Sequence, residues 1–122
     1  MKIVALIFAF IVAIEHLYIL WLEMFNSNSQ TAAETFNTPR ELLANPKVQS
    51  LFKNQGLYNG FLAVGILLFL IMPNPIQKVG LLYFTACIVI AALFGSATVS
   101  KKIFWVQGLP ALIALILIAA FL

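Results

Sequence analysis

Two titratable side chains stand next to each other inside an apolar segment near the start of the sequence. Glu15 and His16 interrupt the apolar run from Ile3 to Leu22, and Glu23 follows it directly. A carboxylic acid and an imidazole can pass protons to and from a ligand, and an acid in an apolar segment needs a partner. These three residues are therefore the candidate catalytic acids and bases.

A second group of polar side chains lies in two later segments of the chain. Gln55 and Asn59 are one helical turn apart and share a helix face, with Tyr58 beside them. Amide and phenol groups donate and accept hydrogen bonds, so they can orient a ligand. The predicted ligand-binding residues are Asn54, Gln55, Tyr58, Asn59 and Gln107.

Composition limits the class of protein that carries these residues. The chain has 122 residues, of which 63% are hydrophobic and 9% charged, whereas a soluble domain is nearer half apolar and a quarter charged. This excludes an ordinary soluble globule and a disordered chain.

The only cysteine is Cys87, so no intrachain disulfide can form, and with one histidine we predict no metal site. Seven scattered Lys and Arg residues form no stripe for nucleic acid.

Four apolar stretches approach the length that crosses a bilayer, about 20 residues. The predicted fold is all-α, a single integral membrane domain over residues 1–122 with four transmembrane helices and a short interfacial helix in loop 1. We expect these four helices at about 3–25, 46–72, 75–99 and 103–122. Such a chain is a multi-pass protein in contact with membrane lipid, and we expect it in a bacterial inner membrane.

Local signals place the helix ends. Asn45-Pro46 and Asn74-Pro75 each predict a helix start, with the asparagine as cap and the proline in the first turn. The segment Thr38–Glu41 has the pattern of a capping box opening the short interfacial helix. The segment from Ser27 to Asn37 is predicted to be a polar loop. Pro110 lies inside the last helix and is expected to kink it.

Helix direction brings the polar residues together. In a bundle with an even number of spans, loops 1 and 3 lie on one side, and the candidate residues of helices 1, 2 and 4 fall in that half of the bilayer. The sequence thus predicts a polar cavity that opens toward these two loops.

Loops 1 and 3 carry most of the basic residues, which favours a cytoplasmic location for these two loops. Those residues are Arg40, Lys47, Lys53, Lys101 and Lys102.

Two glycines four residues apart, Gly56 and Gly60, form a small-residue face on the second predicted helix. Such a face permits close approach of another helix. The partner helix can belong to the same chain or to a second copy, so internal packing and a homo-oligomer both explain the pattern.

Three motifs resemble those of a known family. They are Glu15-His16-x-Tyr18, the string Asn54 to Gly60 (Asn-Gln-Gly-Leu-Tyr-Asn-Gly) and Gln107-Gly108-x-Pro110. They are similar to a bacterial and fungal family of small four-helix membrane proteins that is catalogued as a domain of unknown function. The resemblance covers nearly the whole chain. It implies that the eight candidate residues occupy motif positions, and it implies no activity.

The favoured hypothesis is a polar intramembrane pocket that binds a lipophilic small molecule or converts it by acid–base chemistry. Three alternatives stay open. Glu15 and His16 suit the proton relay of a proton-coupled transporter. We predict no cofactor, but as an alternative His16 suits an axial ligand of haem. The polar residues also suit a structural or assembly protein in which they fix helix packing. Whether the chain is an enzyme is left open.

Overall fold

The computed structural model of the protein describes residues 1–122 and contains helices only. Seven α-helices follow one another, and a π-helical turn over Phe104–Gly108 precedes the last of them. The α-helices are α1 (Lys2–Phe25), α2 (Gln30–Thr35), α3 (Arg40–Leu43), α4 (Pro46–Leu70), α5 (Ile76–Thr98), α6 (Lys101–Ile103) and α7 (Leu109–Phe121). Since α6, the π turn and α7 are continuous, they form the fourth long helical segment of the chain.

The four long segments pack as a bundle. Helix α1 contacts α4 on one side and α7 on the other, and α5 contacts the same two helices. Helices α1 and α5 therefore lie on a diagonal. Because consecutive long segments run in opposite directions, the end of α1, the start of α4, the end of α5 and α6 meet at one end of the bundle.

Small side chains dominate the central core where α1 meets α7. Alanines allow helix axes to approach closely, so that the larger aliphatic residues of α4 and α5 complete the packing. The buried core residues are Ala5, Ala9, Val12, Ala13, Ile66, Leu81, Ile88, Ala111, Ala114 and Ile118.

Three segments are long and apolar enough to cross a membrane, namely Lys2–Phe25, Ile76–Thr98 and Lys101–Phe121. Large apolar side chains also cover much of the outer surface of the bundle, as a lipid environment requires. These features indicate a membrane protein. Helix α4 has similar length, but its first half carries Asn54, Gln55 and Asn59, so it is not one of the three.

The helix starts agree with the sequence in one case and differ in two. The Asn45 side chain accepts a hydrogen bond of 2.9 Å from the Lys47 amide, which confirms the predicted cap of α4. The predicted Asn74 cap is wrong, because α5 begins one residue later with Pro75 as its N-cap and no side-chain cap. The predicted capping box at Thr38 is also wrong.

Pro39 takes the cap position of α3 in place of Thr38. Thr38 lies one residue before the N-cap, so its hydroxyl is out of register with the first turn of α3, and it donates 3.0 Å to the Phe36 carbonyl. The short helix in loop 1 that the pattern predicted is nevertheless present at Arg40–Leu43.

Loop 1 contains a helix that the sequence did not predict. The segment expected to be a polar loop folds into α2, whose N-cap is Ser29. The Ser29 hydroxyl oxygen accepts 3.1 Å from the Ala32 amide and donates 2.8 Å to the Asn26 carbonyl. Ala32 then packs with Leu22 and Leu43 in a small buried cluster, which fastens the loop over the end of α1. Tertiary burial of Ala32 thus favours helix in a segment of polar composition.

Pro110 lies directly after the π-helical turn. The Leu109 amide donates to the Phe104 carbonyl, five residues back. In an α-helix the acceptor would be the carbonyl four residues back. A proline inside a helix has no N–H to donate and its ring crowds the preceding turn. Prolines and π-helical turns are both recognised irregularities of long helices, and here the two lie next to each other. The kink expected at Pro110 stays a prediction, and the irregularity beside it is this π-helical turn.

Candidate functional site

A cleft of about 300 Å³ opens at the end of the bundle where loop 1 and α6 lie. All four long segments and loop 1 contribute to its wall. The wall combines polar and apolar side chains, and it consists of Ile19, Glu23, Phe36, Thr38, Phe52, Gln55, Asn59, Ala91, Gly95, Val99, Ile103 and Gln107. We call it the larger cleft, to distinguish it from a second, smaller cleft beside it that is described below. Four of the eight predicted site residues line it, namely Glu23, Gln55, Asn59 and Gln107.

A side-chain hydrogen bond on the wall of the larger cleft joins α1 to α4. Glu23 is buried, with only 3% of its surface exposed, and its Oε1 accepts a hydrogen bond of 2.5 Å from Asn59 Nδ2. Asn59 Nδ2 also donates 3.3 Å to the Gln55 carbonyl of the preceding turn. The pair therefore presents a carboxyl group with a fixed position on the wall of the cleft.

The two glycines of α4 explain why this pair can form. A Cβ added at Gly56 would lie 3.0 Å from Glu23 Cβ and 3.2 Å from the Leu20 carbonyl oxygen. A Cβ at Gly60 would overlap the Leu20 side chain. Both glycines are buried against α1, so the small-residue face serves packing inside the chain. Their lack of a side chain brings the helix backbones close enough for the Asn59 amide to reach Glu23.

Gln107 belongs to the π-helical turn and is half-buried. It lines the larger cleft and also a second cleft beside it. Ile19 of α1 and Ile103 of α6 are shared by the two walls in the same way. The wide turn therefore places one amide side chain between the two spaces, and turns of this type are frequent at functional sites.

The second cleft, called the smaller cleft, has a volume of about 140 Å³ and lies between α1 and the α6–π segment. Its wall consists of Glu15, Tyr18, Ile19, Thr35, Lys102, Ile103, Val106 and Gln107. Glu15 Oε2 is buried and accepts no hydrogen bond. Glu15 and Glu23 are thus separated, each on its own cleft, although both belong to α1.

Three predicted residues line neither cleft. His16 is 2% exposed, and its Nδ1 donates 2.9 Å to the Val12 carbonyl of its own helix. Tyr58 is 53% exposed on the outer face of α4, where its ring packs edge-on against Phe61. Asn54 is also exposed. The structure therefore places Glu23 and Gln107 on one cleft. It does not place Glu15 and His16, which are adjacent in the sequence, on a common cleft.

Among the wall residues that the sequence analysis did not single out, three come from loop 1 and one is a lysine of α6. Phe36 and Thr38 reach the larger cleft from loop 1, and Thr35 and Lys102 reach the smaller one. The apolar residues Ala32, Ala33 and Phe36 inside a polar segment were the available signal that loop 1 packs on the bundle. Lys102 was interpreted only as a topology signal.

Comparison with known proteins agrees with the motifs. The family model described as Protein of unknown function (DUF1304) matches residues 10–119. The chain is 40% identical to the Uncharacterized protein YpaA of Lactococcus lactis subsp. lactis (strain IL1403) over 119 residues, which cover 95% of this chain and 97% of that protein. No solved structure matches the chain. The family resemblance predicted from the motifs is confirmed, and the chain belongs to the DUF1304 family.

Proposed function

We propose that this protein binds a lipophilic small molecule in the larger cleft, inside a bundle whose four long segments all cross the membrane. The observation that carries the proposal is the buried Glu23–Asn59 pair on a cleft wall that is otherwise partly apolar. Ligand sites in proteins are typically apolar clefts with a few fixed polar groups, which provide orientation and specificity.

The membrane part of the proposal concerns α4. From Leu57 onward this helix is apolar except for Asn59 and packs along α1, which is itself long and apolar enough to span. A helix that pairs lengthwise with a spanning helix lies at the same depth. The polar face that lowers the hydropathy of α4 is directed at the larger cleft through Gln55 and Asn59.

Within this proposal, Glu23 is the candidate for acid–base chemistry on a bound ligand. It shares a wall with Asn59 and Gln107, which can hold a polar group of the ligand nearby. Glu15 lies on the other cleft, and the His16 ring lies on neither wall. Proton transfer by the Glu15–His16 pair therefore has less geometric support than transfer by Glu23.

The test is to identify what copurifies with the protein. The full chain is purified in mild detergent, extracted with organic solvent, and the extract analysed by mass spectrometry. We expect a lipophilic compound in the wild-type extract that is depleted in Gln55→Leu and Asn59→Leu. Gln55→Leu matters because it alters the wall of the cleft and leaves the Glu23–Asn59 hydrogen bond in place.

The matched control is Glu41→Gln, which removes an acid from the exposed surface of α3, away from both clefts. Its extract should equal that of the wild type. Identical extracts from all of these proteins, with only detergent and bulk membrane lipid in each, would contradict binding in the larger cleft.

A further inference from the structure

One oxygen of the Glu23 carboxyl group is left free on the wall of the larger cleft. Glu23 Oε1 accepts the hydrogen bond from Asn59, whereas Oε2 has no hydrogen-bond partner in the chain. Glu15 Oε2 is the one side-chain oxygen or nitrogen atom that is both fully buried and without a partner, so Glu23 Oε2 retains accessible surface. A ligand group in the larger cleft can therefore reach Glu23 Oε2.

The hydrogen bonds of Asn59 leave this pair with acceptors and no donor. Asn59 Nδ2 has two hydrogens, and it donates to Glu23 Oε1 at 2.5 Å and to the Gln55 carbonyl at 3.3 Å. The remaining polar atoms of the pair are the Asn59 amide oxygen and Glu23 Oε2, and both accept when the acid is ionised. A ligand group that contacts the ionised Glu23 must therefore be a hydrogen-bond donor.

The charge of the wall restricts that donor further. Glu23 is the only ionisable side chain among the residues that line the larger cleft, so this wall contains no Lys, Arg or His. Lys102 lines the smaller cleft instead. A carboxylate that has been removed from water is stabilised when a cation pairs with it. A positively charged donor therefore satisfies both the charge and the free acceptor of Glu23.

We propose that the ligand of the larger cleft is a lipophilic amine in its protonated form, whose ammonium group donates to Glu23 Oε2. This inference rests on the proposed function and specifies the chemical class of its ligand. An ammonium group has three donors and no acceptor, so it matches a pair of side chains on which only acceptors remain. A hydroxyl group can donate but brings no charge, and a carboxylate is repelled by Glu23.

The apolar part of the wall accommodates the hydrocarbon part of such an amine. Phe36 of loop 1 and Phe52 of α4 both line the larger cleft, and their ring centroids are 5.1 Å apart. The rings provide apolar surface, and aromatic faces also attract a cation that lies close to them. A volume of about 300 Å³ is at the lower end for ligand pockets, so the cleft holds a small amine or the head of a longer one.

The experiment measures binding of radiolabelled octylammonium at neutral pH to the full chain in phosphatidylcholine nanodiscs, with empty nanodiscs subtracted. We expect saturable binding that Glu23→Gln weakens by about tenfold or more, the effect of losing a hydrogen bond between charged groups. Glutamine keeps the size of the side chain and an oxygen that can accept from Asn59. Glu15→Gln is the matched control, because it removes a carboxyl group from the same helix outside the larger cleft, and it should bind as the wild type does.

Competition on the wild-type chain tests the charge of the ligand without any substitution, so it decides even if Glu23→Gln fails to fold. Unlabelled octylammonium should displace the label, whereas 1-octanol and octanoate, which have the same chain length, should not displace it at equal concentration. Equal displacement by all three compounds or unchanged affinity in a folded Glu23→Gln would overturn the proposal. Loss of binding in Glu15→Gln with full binding in Glu23→Gln would place the cation in the smaller cleft and overturn it as well.

The copurification experiment separates this inference from the proposed function. A neutral or anionic compound that is depleted in Gln55→Leu would overturn the amine and retain the larger cleft as a ligand site. Absence of saturable octylammonium binding would likewise overturn the amine alone, and identical extracts in addition would contradict both proposals. An amine that is depleted in Gln55→Leu and in Glu23→Gln would support both.

Discussion

At the scale of single residues, the Glu23–Asn59 hydrogen bond is the feature on which the larger cleft depends. Glu23 is almost completely buried, and its carboxyl group accepts a side-chain hydrogen bond from the Asn59 amide. Burial of a polar group is tolerated when the group is hydrogen-bonded and is costly when one partner is removed. The pair therefore fixes the position of α4 against α1 as well as the position of a carboxyl group in the cleft.

Removing both partners should cost less than the sum of the costs of removing each one. We expect Asn59→Leu to lower the free energy of unfolding by about 1–3 kcal/mol, because it leaves Glu23 buried without its donor. The double variant Glu23→Leu with Asn59→Leu should lose less than the sum of the two single changes. Equilibrium unfolding in detergent micelles measures all four proteins, and strictly additive losses would show that the two side chains do not interact in solution.

At the scale of elements, contact between α1 and α4 depends on glycine. Gly56 and Gly60 remove the side chains that would hold the helices apart, and Asn59 lies between them on the same helix. The sequence pattern left two partners open for this face. Both glycines are buried against α1, so this face packs within the chain. The string from Asn54 to Gly60 therefore permits close approach of α4 to α1 and also provides Asn59 for the hydrogen bond with Glu23.

A methyl group at this contact should separate the helices. We expect Gly56→Ala to lower the free energy of unfolding by about 1–3 kcal/mol, since the added atom meets the Leu20 carbonyl oxygen, which cannot rotate away. Gly95→Ala is the comparison, because its nearest neighbour is the Ile103 side chain at 3.2 Å, which can shift. Thermal unfolding of both variants in micelles gives the ranking, and a larger loss in Gly95→Ala would contradict this account.

In the last helical segment, the position of a cleft residue depends on an irregular turn. Pro110 follows a π-helical turn, and this turn includes Gln107, which lines both clefts. A regular α-helix would have a different rotation at Gln107, because each residue in it turns by about 100°. Loop 1 adds a further contribution, since Phe36 and Thr38, which follow α2, line the larger cleft.

At the scale of the whole molecule, the proposal of four membrane crossings predicts which loops share a side. With four crossings, Ser50 and Thr98 lie on one side of the membrane and Asn74 on the other. If α4 does not cross, Ser50 and Asn74 share a side and Thr98 lies opposite. All three residues are exposed. The distribution of basic residues further favours the side of Ser50 and Thr98 as the cytoplasmic one.

Cysteine labelling decides between these arrangements. In a Cys87→Ala background, which has no other thiol, single cysteines are introduced as Ser50→Cys, Asn74→Cys and Thr98→Cys. We expect an impermeant maleimide added to intact cells to label Asn74→Cys and to spare the other two. A permeant maleimide should label all three, which controls for reactivity. Equal labelling of Ser50→Cys and Asn74→Cys by the impermeant reagent would contradict four crossings.

Four features could be predicted from the sequence alone, namely the helical composition, the membrane class, the family and the end of the bundle at which polar residues meet. These follow from local quantities, since apolar length, motif strings and helix direction can all be counted along the chain. That counting predicted one polar cavity for all the candidate residues, and the larger cleft contains four of them, namely Glu23, Gln55, Asn59 and Gln107. The cap at Asn45 was likewise predicted from two adjacent residues.

Which candidate residues face inward depends on helix packing and could not be predicted, because depth along a helix says nothing about rotation around it. Close packing of Gly56 on α1 sets the rotation of α4, and at about 100° per residue it turns Asn54 and Tyr58 to the opposite, exposed side. The separation of Glu15 from Glu23, and the helix in loop 1, also arise from contacts between distant segments. Such contacts exist only once the helices have packed.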